Sequence, residues 1–356
     1  MSEHDLKNSK ASSQKDLPLA ARRRGKGARV ITEYLFINPP FVSTSSDETA
    51  NVLSDEEEYA IAKVVDFFLK ARYEETSAAA EHCLESRHTE IRAFALLAHA
   101  VANVALHNFE VSRKDFKALR QTHEHPENSR AAALNDIYRF VLSTFFNLGE
   151  QILPIPLESL SDCSEGSRLF ALYAQSHALY LQQEYAQALG VAEAALAMAA
   201  GRHPIICIYL NLAASMAAIN LSRLEQADRF FLNALNFAKP EGYIQPFIGH
   251  HGPLQGLVEK HIRDREPELY KMIAEKVVLF RRGWTEIHNP YSSNKVTNLL
   301  TPYEFALAMM AAKGKTNQEI ADYLHISINT VKAHLSTVFQ KVGIAKRSEL
   351  EKYLNK

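Results

Sequence analysis

Residues 300–350 read LTPYEFALAMMAAKGKTNQEIADYLHISINTVKAHLSTVFQKVGIAKRSEL, and along this stretch capping, apolar spacing and exposed chemistry agree. Thr301-Pro302-Tyr303-Glu304 places a hydroxyl at an N-cap, proline at the first helical position and a glutamate three residues after the cap, which satisfies the orphan amides of a helix start. The pattern predicts a helix to about Ala312, stopped at Gly314, a residue that adopts the left-handed conformation of many helix ends. Thr316-Asn317-Gln318-Glu319 repeats the box, and Ile320, Ala321 and Leu324 give a second, short helix an apolar face. Ser327 caps a third helix whose Ile328, Val331, Leu335, Val338 and Val342 recur at steps of three and four, closing at Gly343. By subtraction, Asn329, Lys332, Ala333, Ser336 and Gln340 point outward.

A helix of about fifteen residues is roughly 22 Å long and fits the major groove of B-DNA, where small and polar side chains let the backbone approach base edges. Lys332 can reach a guanine edge or a phosphate, Asn329 an adenine edge or a phosphate, and Ala333 a thymine methyl. The same residues would suit a solvated face on an ordinary three-helix bundle. Three capped helices in about forty residues, with a short turn before the third, favour a helix-turn-helix.

The segment resembles the C-terminal helix-turn-helix of LuxR/NarL-type bacterial transcription regulators in its LTPxE start, its NQEIADYLHIS run, NTVKAHLSTVFQKVGI and the Lys-Arg-Ser before a last helix. The resemblance implies a four-helix DNA-binding domain over residues 297–356, with Thr330, Val331 and Lys332 opening the recognition helix and Lys332 and Ala333 at base-contacting positions. It places Thr316, Asn317, Lys341 and Arg347 at phosphates, with Asn329 and Ser336 completing the DNA-facing set. The chain departs from the family at Ala306, where a second acidic residue is usual, and at Ser336, which is basic in some relatives. By the same resemblance, a last helix from about Lys346 to Leu354 pairs two modules through Leu350, Tyr353 and Leu354, giving a homodimer on inverted half-sites.

Charge agrees modestly. Residues 295–356 hold nine Lys and Arg against five Asp and Glu, a balance of +4, and the chain total of −1 leaves −5 for the remainder. One DNA-facing module on a near-neutral carrier fits better than a chain binding through bulk charge.

With 356 residues, 47% of them hydrophobic and 23% charged, the chain has room for two or three globular domains. Cys83, Cys163 and Cys207 are odd in number and far apart, which argues against a disulfide framework or a zinc knuckle and for a reduced, cytoplasmic setting. The start, MSEHDLKNSK, has no apolar core for an export signal. The apolar run from Ile205 to Leu221 carries Asn211, Ser215 and Asn220, so it reads as a buried helix rather than a membrane span. Residues 1–54 are Ser-, Lys- and Arg-rich, then Pro-, Thr- and Asp-rich, and read as a flexible tail; Arg22, Arg23, Arg24, Lys26 and Arg29 either form a phosphate-touching arm or are solvated.

Between about 55 and 240 an aromatic residue or leucine is followed three residues later by a small one: Tyr73 with Thr76, Phe109 with Ser112, Tyr185 with Ala188, Leu224 with Ala227. The spacings of 36, 76 and 39 residues imply a unit near 38, with a degenerate copy around Phe146 to Glu150. No single helical hairpin buries its apolar face, so neighbours must stack as a solenoid. The units resemble tetratricopeptide-like repeats over residues 55–283, although a non-repetitive helical bundle has the same composition. The stretch EGYIQPFIGHHGPLQGLVEKHI, from Glu241, resembles the end of the solenoid in large MalT-like LuxR regulators. A helix from about Glu266 to Gly283 and a linker over 284–296, with Pro290, then form a hinge.

Several classes lack support. No phosphate-binding loop follows a strand: Gly314-Lys315-Thr316 has Met309 where the first glycine belongs, so the ATPase module of the large relatives is missing. His123-Glu124-His125 and His250-His251 lack a third nearby ligand and read as surface histidines, with no metal or cofactor. No catalytic arrangement is recognisable. The expectation is an all-α chain, a tetratricopeptide-like α-solenoid followed by a LuxR-type helix-turn-helix, acting on double-stranded DNA under an unknown effector or protein partner. The rival is a helical-repeat interaction scaffold without DNA binding.

Overall fold

The computed structural model describes residues 56–86, 89–121, 129–146, 163–288 and 299–351, with Ile155, Leu160 and Ser161 between them. The basic tract, His123 to His125 and, beyond Phe146 itself, the copy expected around Phe146 to Glu150 lie outside the described residues. The described residues are helical, with no strand among them. In order they form α1 (Glu56–Leu69), α2 (Tyr73–Glu81), α3 (Thr89–Ala105), α4 (Phe109–Gln121), α5 (Ser129–Phe146), α6 (Glu165–Leu181), α7 (Tyr185–Ala199), α8 (Pro204–Asn220) and α9 (Leu224–Ala238). After them come the short α10 (Gln245–Gly249), a π-helical turn (Glu259–Arg263) and the long α11 (Pro267–His288). The terminal domain contains α12 (Pro302–Ala312), α13 (Asn317–Leu324) and α14 (Ile328–Val342).

The repeated anchors Tyr73, Phe109, Tyr185 and Leu224 are the first residues of α2, α4, α7 and α9, the second helices of four hairpins. Two residues before each anchor the backbone turns left-handed, at Ala71 (φ 54°), His107 (64°), Gln183 (66°) and Ser222 (61°). The next amide, at Arg72, Asn108, Glu184 or Arg223, then bonds the carbonyl five residues back at 2.8–2.9 Å, which closes each first helix. None of these turns carries glycine, so the closure is written in geometry more than in residue type. The small residues after the anchors, Thr76, Ser112, Ala188 and Ala227, are fully buried where helices approach closely. Ser176 donates to the Ala188 carbonyl at 2.8 Å, and Ser215 does the same to Ala227 at 2.8 Å, 39 residues further on.

The apolar run expected as a buried helix is α8, packed against α6, α7 and α9 and buried from Ile205 to Ile219 except for the partly buried Tyr209. No helix among the described residues is long and apolar enough to cross a membrane. Beyond α9 the chain turns back across the earlier repeats. The Tyr73 hydroxyl donates to Gln245 Oε1 at 2.8 Å, linking α2 to α10, and Gly283 of α11 lies directly on the Val104 carbonyl of α3.

Two expectations change here. Helix α11 continues to His288, so the first residues of the expected linker, 284–288, are helical. His250 and His251 are buried, at 4% and 3% exposure, not on the surface. His250 Nε2 pairs with the Tyr173 hydroxyl at 2.8 Å and its Nδ1 with the Pro246 carbonyl at 2.7 Å, while His251 pairs with Glu259 at 2.9 Å. Burial pulls the His250 imidazole down to about 4. His250 thus connects the tail of the repeats to α6 while His251 ties two parts of the tail together, and no grouping of three metal-ligating side chains exists among the described residues.

Candidate nucleic-acid interface

Each helix of the terminal domain starts as its residues dictate. Thr301 Oγ1 accepts from the Glu304 amide at 3.2 Å while Glu304 Oε2 accepts from the Thr301 amide at 2.8 Å, and Thr316 and Glu319 repeat the exchange at 3.2 and 2.6 Å. Ser327 Oγ accepts from the Thr330 amide at 3.0 Å and starts α14. Gly314 and Gly343 close α12 and α14 with φ of 86° and 72°, a conformation that any Cβ would strain. Helix α13 ends in a left-handed His325, φ 54°, and the chain enters α14 three residues later.

Helix α14 buries Val331, Leu335, Val338 and Val342 and leaves Asn329, Lys332, Ala333, Ser336, Thr337 and Gln340 exposed. The outward face is thus one cation, two short hydroxyl side chains, two amides and a methyl, a chemistry suited to base edges and phosphates. Val331 does not belong to that face. It is completely buried, and its part is to hold α14 down from beneath.

The other expected residues divide into two groups. An open groove of about 470 Å³ at the start of α13 brings Thr316, Asn317, Lys332 and Arg347 together from three separate elements. Within it the Arg347 guanidinium donates to Asn317 Oδ1 at 2.8 Å, to the Ala311 carbonyl at 3.2 Å and to the Lys315 carbonyl, so it braces the turn between α12 and α13. Burial lowers its basicity, partly offset by Glu319. Lys341 stands apart, with Nζ 2.7 and 2.8 Å from the two carboxylate oxygens of Glu304. Burial alone would raise the Glu304 carboxyl, but Lys341 and the Thr301 amide outweigh it and hold the group below its ordinary range.

Leu350 corrects the expected pairing seam: it is 0% exposed, inside the domain's own core, because the 3₁₀ turn Arg347–Glu349 folds it inward. Tyr353 and Leu354 lie outside the described residues. Ala306, where relatives carry an acidic residue, is also buried, at 1% exposure.

Sequence reading missed what flanks α14. His334, half-buried, stands edge-on to Tyr303 with ring centroids 5.0 Å apart, and Lys260, Arg263 and Arg281 place cations over rings of the domain from outside it. Lys260, His261 and Arg263 lie in the charged run KHIRDRE, 260–266, which carries no periodic or motif signal.

Comparison with known proteins agrees with this geometry. Residues 298–354 match the family described as GerE, bacterial regulatory proteins, luxR family, so the chain ends in a LuxR-family helix-turn-helix domain. The transcriptional regulatory protein LiaR of Bacillus subtilis (strain 168) is 33% identical over 91 residues, 26% of this chain and 40% of that protein. Transcriptional regulatory protein ComA of the same organism is 41% identical over 58 residues, 16% of this chain and 27% of its own length. Response regulator protein VraR of Staphylococcus aureus (strain Mu3 / ATCC 700698) is 41% identical over 51 residues, 14% of this chain and 24% of its length. The chain therefore spans less than half of each of these relatives. No solved structure matches it.

Proposed function

We propose that this protein is a sequence-specific DNA-binding transcriptional regulator, with α14 as the helix that enters the major groove and the helical repeats as the regulatory part. The observation that carries this reading is the exposed face of Asn329, Lys332, Ala333 and Ser336, left uncovered although the domain is packed against the repeat tail. Lys332 and Ala333 read base edges in this proposal, Asn329, Thr330 and Ser336 add polar contacts, and the groove of Thr316 and Asn317 meets the phosphate backbone. Arg347 and Lys341 act through their neighbours first, since both are already engaged.

The repeats, which we read as tetratricopeptide-like and as occupying 55–283, sense a ligand or protein partner and control the terminal domain, 297–356. The natural setting is the cytoplasm, where DNA and reduced thiols coexist; Cys83, Cys163 and Cys207 are buried and form no disulfide. A homodimer on inverted half-sites belongs to the proposal, but its contact surface has to come from residues other than Leu350.

The test is fluorescence anisotropy of the full chain with a random-sequence duplex pool, then with duplexes selected from it. Four or five phosphate contacts would give a slope of log affinity against log salt of about −4. Lys332→Glu is expected to abolish binding with an unchanged melting temperature. Undiminished binding by this variant would remove α14 from the groove, and no binding by the wild-type chain would leave the interaction scaffold as the better reading.

A further inference from the structure

The terminal domain is held by the repeat tail in a repeated way. Lys260 Nζ lies over the Tyr323 ring at 4.4 Å, the Arg263 guanidinium over Tyr303 at 4.5 Å, and the Arg281 guanidinium over Phe305 at 4.7 Å. In each pair the cation comes from the tail and the ring from α12 or α13. Each cation is anchored: Lys260 to Asp228 at 2.8 Å, Arg263 to Asp264 at 2.8 and 3.0 Å, Arg281 to the Leu300 carbonyl. Between them two glycines let the domains close together, since a Cβ at Gly252 would stand 3.1 Å from Phe305 and one at Gly256 3.0 Å from Met310 and 3.3 Å from Leu324.

One of these pairs continues to the recognition helix. Tyr303, under Arg263, meets His334 edge-on at 5.0 Å and 81°, and its neighbour Glu304 grips Lys341. His334 and Lys341 are two turns apart on the flank of α14, so together they fix its tilt. A rotation of about ten degrees would carry the far end of a helix of roughly 22 Å by about 4 Å, far beyond what a base-edge hydrogen bond tolerates. A cation held over a ring at a half-buried junction resists that rotation.

We propose that Arg263 is a positioning residue for DNA reading: through Tyr303 it sets the angle at which α14 meets the groove, and the docked arrangement is the DNA-binding one. This rests on the DNA-binding function proposed above. It differs from an occluding gate, because docking leaves Lys332, Ala333 and Ser336 exposed. Loosening the contact therefore weakens reading rather than unmasking it.

The experiment uses the full chain, a duplex selected by the wild type and an unselected duplex. Arg263→Ala and Arg263→Gln are expected to lower affinity for the selected duplex about tenfold and for the unselected one less than about twofold, since phosphate contacts tolerate small rotations better than base contacts. Arg263→Lys, which keeps a cation over the ring, restores selected binding to within about threefold. In a Tyr303→Leu background Arg263→Gln has no further effect. Equal or tighter selected binding by Arg263→Gln overturns the proposal, as does an equal loss on both duplexes. A wild-type chain that binds neither duplex refutes the DNA-binding function instead. Arg263→Gln keeps two of the three stem methylenes and a polar head without the charge, so the comparison holds even where alanine disturbs folding.

Discussion

Replacing Gly283 by alanine sets two known effects against each other. In a helix interior the exchange stabilises by about 1 kcal/mol, because glycine costs more conformational entropy on folding. At this position, however, the added Cβ would stand 1.9 Å from the Val104 carbonyl oxygen, 2.7 Å from its carbon and 2.9 Å from Val104 Cγ1. Real Cβ contacts stop near 3.0 Å, so α11 and α3 must part by about 1 Å, and the obstacle is backbone, which cannot rotate aside. Overpacking of this kind costs about 1–3 kcal/mol, and a backbone clash belongs at the upper end. The net expectation is a loss of about 2 kcal/mol, or about 2–3 °C in melting temperature for a chain of 356 residues. Gly190, in the middle of α7 with nothing within 4 Å of its would-be Cβ, is the matched control. Gly190→Ala should raise the melting temperature by about 1 °C. Differential scanning calorimetry of both variants decides the matter. If Gly283→Ala stabilises as Gly190→Ala does, α11 does not press on α3 and the docking of the terminal domain through α11 falls with it.

Thr316→Ala removes the oxygen that caps α13 and should cost about 1 kcal/mol in a urea titration; an unchanged midpoint would mean that Glu319 alone sustains the helix start. Arg347→Ala removes a donor from three oxygens, of which the Ala311 carbonyl still accepts from the Gly314 amide, and should cost about 2 kcal/mol, with DNA affinity recovering on cooling because the loss is one of folding; a stable variant with weak binding at every temperature would instead make Arg347 a direct phosphate contact. Glu304 titrates below its ordinary value, so its stabilising effect is complete above that value and disappears as pH falls through the lower, folded-state one. The difference in melting temperature between wild type and Glu304→Gln should accordingly be constant from pH 8 to about 5.5 and shrink as pH falls below the ordinary carboxylate value of 4.5. A difference that does not shrink at any acid pH where the protein still folds would show that shape rather than charge holds α12 to α14.

The terminal domain was legible because its information is local. Thr301, Thr316 and Ser327 cap through atoms three residues away, and the stripe from Val331 to Val342 repeats within one helix. Val331 was assigned to the core by its spacing and to DNA by resemblance, and burial decided for the core. Leu350 misled because an apolar residue near the end of a chain looks available until the turn before it is seen to fold inward. The repeats were found from small residues at helix contacts. Their turns went unnoticed because Ala71, His107, Gln183 and Ser222 adopt a conformation that glycine would have announced. Least legible was the junction: the partners of Lys260, Arg263 and Arg281 lie between 24 and 63 residues away along the chain, and no spacing rule reaches that far.

The hydrogen bond from Tyr73 to Gln245 spans 172 residues and has a kinetic consequence. An open stack of hairpins nucleates anywhere and can fray from either end, each unit answering only to its neighbours. Once the last segment is fastened to the first hairpin, neither end is free, and loss of one hairpin deprives the opposite terminus of its support. Forming that bond also requires closing a very long loop, which delays completion of folding until most of the chain is in place. During synthesis the early hairpins must therefore wait, partly unsupported, for residues translated much later.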